Sequence, residues 1–186
     1  MAFIKIVEHQ NSTGELREIY DDIIAKRGKL AEIHKIQSLN PKSIVAHMDL
    51  YLCIMFGQSP LKRYQREMMA VVVSAANNCE YCQVHHAEAL NHYWKDEEKV
   101  NQLRKDYQKV DLPLQDKLLC DYAYHLTKLT PQDKIKTIVH QLKNTGLTDR
   151  AILDANQVIA YFNYVNRVVI GLGVNLEQDC GKGYKY

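Results

Sequence analysis

Helix starts recur from one end of this chain to the other and restrict it to an all-α fold. Asn40-Pro41, Ser59-Pro60 and Thr130-Pro131 each place a good capping residue before a proline at the first helical position. Ser12-Thr13-Gly14-Glu15 has the Ser-x-x-Glu spacing of a capping box. Leu16, Ile19, Tyr20, Ile23 and Ile24 follow it at i, i+3, i+4, i+7 and i+8, an apolar stripe of helical period. The segment opened by Asn40 carries Ile44, Val45, Met48, Leu52 and Met55 and stops near Gly57. Ser59-Pro60 opens a helix to about Ala76; its Val71-Val72-Val73 triplet favours strand, but the flanking Met, Ala and Glu residues favour helix. Asn77-Asn78 breaks the chain and caps a helix from Cys79 to about His92. Lys95 to Asp106 reads as a short, charged, exposed helix, and Pro113 opens one lined by Leu114, Leu118, Leu119, Tyr122 and Leu126. Ile135, Ile138, Val139 and Leu142 line the next, which Gly146 ends, and Thr148 caps a last long helix to about Ile170. There is no Asn-Gly hairpin signal and no period-2 alternation. The expectation is a single-domain all-α helical bundle of seven to nine helices over residues 1–176, with a polar tail at 177–186.

At 186 residues the chain can bury a sizeable core. Its formal net charge of +2 is too small to suggest nucleic acid or a membrane surface as partner. No run of 18 apolar residues is present, so no transmembrane helix is expected. Met1 to Gln10 has no apolar core of signal-peptide length, which makes a reducing cytoplasm the expected location. Five cysteines is an odd number, and Cys53, Cys120 and Cys180 stand alone, unlike a secreted disulfide framework. Cys53 and Cys120 lie among apolar residues and read as small buried hydrophobes.

Chemistry concentrates in Cys79-Glu80-Tyr81-Cys82, with His86 four residues on. Two cysteines three apart can close a disulfide within one helical turn. His86 falls about 40° round the axis from Cys82, on the same face, where its imidazole could take the thiol proton. The thiolate is the nucleophile, so an adjacent base controls reactivity. Helix position favours Cys79 as the thiolate and the histidine favours Cys82, which leaves the attacking sulfur open. Glu67, 12 residues before Cys79 on the preceding apolar helix, is a candidate to orient His86. Zinc is the competing use of Cys-x-x-Cys, with His85, His86 or His92 as further ligands, but no second Cys-x-x-Cys closes the set. Haem attachment would need histidine where Gln83 stands. His85 is about 100° from His86 and reads as a surface residue. Asn163, Asn166 and Arg167 interrupt the last apolar helix, as pocket or interface residues or as its polar face.

The Cys-x-x-Cys-x-x-x-His spacing with glutamate 12 residues upstream resembles the alkylhydroperoxidase D-like proteins of the carboxymuconolactone decarboxylase superfamily. The stretch from Arg66-Glu67-Met68-Met69-Ala70 through Asn77-Asn78-Cys79-Glu80-Tyr81-Cys82-Gln83-Val84-His85-His86 carries the resemblance. Ile33 to Leu50 and Phe162-Asn163-Tyr164-Val165-Asn166-Arg167 look like its peroxidase-related branch. The resemblance implies an all-helical homo-oligomer, trimer or hexamer, that reduces organic hydroperoxides through thiols in antioxidant defence. It implies Cys82 as the sulfur oxidised to sulfenic acid, Cys79 as the resolving cysteine of a Cys79–Cys82 redox disulfide, and Glu67 and His86 as the proton relay. The partners implied are a hydroperoxide and an external dithiol or lipoyl-type reductant protein, with no cofactor or metal. Tyr81 stands where the best-known members have a second histidine. A phenol with a pKa near 10 is an auxiliary donor there, not a neutral-pH base. The alternatives are a dithiol–disulfide oxidoreductase serving another peroxidase and a non-enzymatic zinc-binding helical module.

Overall fold

The computed structural model describes residues 2–177 and 179, and among these it is all helix and connections. The α-helices are α1 (Gly14–Arg27), α2 (Glu32–Lys35), α3 (Pro41–Phe56), α4 (Arg63–Ala76), α5 (Glu80–Trp94), α6 (Glu97–Lys105), α7 (Leu114–Thr127), α8 (Gln132–Asn144) and α9 (Asp149–Leu172). Single 3₁₀ turns occur at His9–Asn11 and Tyr107–Lys109. None of these helices is long and apolar enough to cross a membrane.

The centre of the bundle is α4. Met68, Met69, Ala70, Val71, Val72 and Val73 are all buried, so this stretch of the helix hides every face, as a run apolar all round must. It packs on α5, α7 and α9. Burying a valine side chain contributes about 1.5–3 kcal/mol, which exceeds the few tenths that a β-branched residue costs in a helix. That difference decides the Val71–Val73 triplet for helix. A smaller core joins α1 to α3 through Leu16, Tyr20, Ile23 and Ile44.

Several starts form as read: Pro41 opens α3 behind Asn40, and Thr148 caps α9 by accepting from the Ala151 N–H at 3.2 Å. Others do not. Ser12 donates to the His9 carbonyl at 2.7 Å instead of forming a capping box, and α1 starts behind Thr13. Ser59 donates to the Asp154 carboxylate at 2.5 Å, so the α4 start moves to Arg63, where Gln65 accepts from the Lys62 N–H. Arg66 fastens α3 to α4, its Nη1 donating to the carbonyls of Ile54, Met55 and Gly57 and its Nη2 to that of Leu61. Helix α6 is not merely exposed, since Val100 and Leu103 are buried. Cys120 is buried as read, but Cys53 is exposed on α3. Cys180 lies outside the described residues. Glu177, assigned by the sequence to the polar tail, is joined to the helical body.

Candidate active site

The elbow between α4 and α5 builds the site. Asn78 adopts φ of 56°, reversing the chain, and Cys79 follows as the N-cap of α5. The two helices then run side by side, bringing Glu67 of α4 against His86 of α5. Glu67 is wholly buried, with Oε2 2.6 Å from His86 Nδ1. Arg63 Nη2 lies 2.7 Å from Oε1, an ion pair at an angle outside hydrogen-bond geometry. Burial raises the Glu67 carboxyl, but the charges of His86, Arg63 and Arg27 outweigh it and hold it below its ordinary value. An ionised Glu67 can only accept, so His86 Nδ1 carries the proton of that hydrogen bond. In the neutral imidazole this leaves Nε2 as the acceptor.

One face of α5, made by Tyr81, Cys82, His85, His86 and Ala89, lines a cavity of about 80 Å³. Arg27 of α1, His34 of α2, His47 and Tyr51 of α3, and Tyr161 and Phe162 of α9 close it. Cys82 faces this cavity; Cys79 is buried behind it. Both are free thiols. Their shared hydrogen bond lowers the Cys79 pKa, against burial, at the helix start. The same bond, with burial and the neighbouring negative charge, pushes Cys82 well up. Acidity therefore points to Cys79 and access to Cys82.

The polar residues of α9 hold the elbow and do not line the cavity. Asn77 Nδ2 donates to Asn163 Oδ1 at 2.9 Å and to Asn166 Oδ1 at 3.0 Å, while Arg167 donates to Asn77 Oδ1 at 3.1 Å. Asn166 is fully buried, donates to Ser74 Oγ at 3.3 Å, and hydrogen-bonds Cys82, which favours the thiolate.

His85 is not the surface residue its position suggested. Its Nε2 lies 2.8 Å from Glu177 Oε2, with its side chain 13% exposed. Tyr81 donates its hydroxyl to Glu177 Oε1 at 2.9 Å and accepts from the Ile33 N–H at 3.3 Å. Glu177 Oε1 also accepts from the Glu32 N–H at 3.0 Å. Burial raises the Glu177 carboxyl, yet the His85 bond and charge and these N–H donors bring it down to about 2. Cys82 thus stands among two imidazoles, each held by a carboxylate. The sequence reading named Glu67 but passed over Arg63, one helical turn before it on α4, and the pattern held no signal for Glu177 or Arg27, whose neighbours lie far along the chain or on another helix. Among the described residues no group of three His, Cys, Asp or Glu side chains is placed to hold a metal ion.

Residues 46–106, which span Glu67, Cys79, Cys82 and His86, match the carboxymuconolactone decarboxylase family. The fold is similar to that of the alkylhydroperoxidase AhpD core, an uncharacterized peroxidase-related protein from Ralstonia eutropha JMP134. That match has a TM-score of 0.85 at 23% identity and covers 99% of this chain and 98% of that one. An uncharacterized peroxidase-related protein from Silicibacter sp. TM1040 is similar at a TM-score of 0.82 and 27% identity, over 92% of this chain and 89% of that one. The debrominase Bmp8 is similar at 0.76 and 16%, over 96% and 94%. No curated protein matches. The chain thus carries a segment that matches the carboxymuconolactone decarboxylase family, set within a fold similar to that of alkylhydroperoxidase D-like, peroxidase-related proteins.

Proposed function

We propose that the chain is a thiol-dependent reductase of organic hydroperoxides. The observation that carries this reading is the buried Glu67 locking His86 onto the helix face of Cys82, in a cavity that Cys82 alone of the pair can reach. His86 Nε2 takes the Cys82 proton. The thiolate attacks the terminal peroxide oxygen, the O–O bond breaks, and the alkoxide leaves as alcohol after accepting a proton from the imidazolium. Cys82 becomes sulfenic acid. Cys79, its proton passing to the departing hydroxide, attacks that sulfur and releases water. The product is a Cys79–Cys82 disulfide. An external dithiol of the lipoyl type would restore both thiols by two exchanges. His85, held by Glu177 beside Tyr81, provides a second imidazole where the resemblance led us to look for one at Tyr81.

A debrominase of similar fold, as a cysteine-to-alanine variant, forms a complex with 2,3,4-tribromopyrrole. The cavity here is likewise suited by its ring-lined walls to a small flat molecule. We place the reaction in a reducing cytoplasm and in a homo-oligomer, trimer or hexamer. Leu50, Leu52 and Phe56 of α3 and Leu153, Tyr164 and Ile170 of α9 are exposed apolar residues that such assembly would cover. The reading is tested with Cys79→Ser treated with stoichiometric hydroperoxide and a dimedone-type trap. The adduct is expected on Cys82. An adduct on Cys79 in Cys82→Ser, with none on Cys82 in Cys79→Ser, would reverse the assignment.

A further inference from the structure

We propose that the cavity selects anionic substrates, with Arg27 binding a carboxylate while Cys82 meets the reactive end of the molecule. This rests on the reading of Cys82 as the sulfur that the substrate reaches. Arg27 sits in the last turn of α1 and lines the same cavity as Cys82. Its guanidinium lies over the rings of Tyr51 and Phe56, 5.4 and 5.1 Å from their centroids. Stacking of this kind holds the planar fork while its N–H groups stay able to bind an acceptor, and a carboxylate matches that fork bidentately.

Among the described residues nothing neutralises this charge at contact distance. Among the described residues Arg27 has no ion pair or hydrogen bond, and no aspartate or glutamate lines the cavity. Glu67 feels Arg27 but is committed to His86 and Arg63. On its outer side Arg27 borders a groove containing Glu18, Asp22 and Asp49, where Asp22 is paired with Lys26 at 2.8 Å. His85 and His86, also in the wall, are each matched by a carboxylate of their own, Glu177 and Glu67. Burial takes His47 to about 4 and His34 to about 3, so both are neutral at physiological pH, and it pushes the Tyr161 hydroxyl well up. A low-dielectric, ring-walled space with one unmatched cation favours a small organic anion over its neutral analogue.

The test uses two alkylating agents that differ mainly in charge. Reduced full-length protein is treated with iodoacetate or iodoacetamide, and adducts at Cys82 are quantified by peptide mass spectrometry against free cysteine in the same solution. Each reagent forms an S–C bond and releases iodide, so the ratio of the two rates cancels changes in thiol reactivity. A charge-assisted contact predicts an iodoacetate preference at Cys82 of about tenfold or more over free cysteine. Arg27→Gln should abolish it and Arg27→Lys keep part of it, with folding of each checked by thermal melting. A ratio equal to that of free cysteine, or one unchanged in Arg27→Gln, overturns the proposal. Cumene hydroperoxide and its ring-carboxylated analogue supply the second arm. If neither is consumed while the alkylation preference persists, the peroxidase reading fails and the anion site stands. If both are consumed and no preference exists in either arm, the anion site alone fails.

Discussion

Replacing Glu67 with Gln keeps the side-chain shape and removes one charge from the centre of the bundle. Glu67 is 0% exposed, 2.6 Å from His86 and 2.7 Å from Arg63. Breaking a buried pair from one side costs about 3–5 kcal/mol, because the remaining charge is stranded. Arg63 has no easy rescue: its Nε and Nη1 are already buried without an acceptor among the described residues. A neutral hydrogen bond from glutamine recovers about 1 kcal/mol, which leaves a net loss of about 2–4 kcal/mol. At about 2–4 °C per kcal/mol for a chain of this size, the melting temperature should fall by about 4–16 °C at neutral pH. The pH dependence carries the sign. The folded-state carboxyl is held below its ordinary value, so its stabilisation is complete above the unfolded pKa of about 4.3 and is lost as pH falls through the folded one. The gap between wild type and variant should therefore close on acidification. Urea unfolding followed by circular dichroism, repeated from neutral to acid pH, measures it. A neutral-pH gap below about 1 kcal/mol, or one that persists unchanged into acid, would refute the charge argument.

Other outcomes follow from the same geometry. His86→Ala should slow Cys82 alkylation near neutral pH by about 10²-fold or more without loss of fold, and a pH–rate profile that overlays wild type would make His86 structural. Glu177→Gln should have a smaller effect, about tenfold or less, because Glu177 acts only through His85 and Tyr81; hydroperoxide consumption followed against pH is the measurement. Light scattering behind a sizing column should give a trimer or hexamer, and a mass near 21.5 kDa across micromolar concentrations would exclude assembly through α3 and α9.

Much of the fold was legible because its signals are local. Pro41 and Thr148 act within their own first turns, and α4 carries the unbroken apolar run 68–73, so its central position is written in its composition. Legibility failed where a side chain found a distant partner. Ser59 has the makings of a cap but is taken by Asp154, 95 positions on. Cys53 sits between Leu52 and Ile54, yet an apolar run does not say which face of a helix turns inward. Of the site, the face shared by Cys82 and His86 follows from spacing alone. The Glu67 contact needed the Asn77-Asn78 elbow, whose angle three α9 side chains and Ser74 help to set. His85 looked like a surface residue because its carboxylate lies 92 positions away, in a segment without helical pattern.

The central claim is that Cys79 and Cys82 together reduce a hydroperoxide. Fully reduced protein should be mixed with one equivalent of cumene hydroperoxide, and the alcohol released and the cysteine state measured together by chromatography and peptide mass mapping. The account predicts one alcohol per chain, loss of two hydrogens, and a single new link between Cys79 and Cys82, with Cys53 and Cys120 still thiols. Unconsumed peroxide, or alcohol formed while Cys79 and Cys82 both remain reduced, would contradict it.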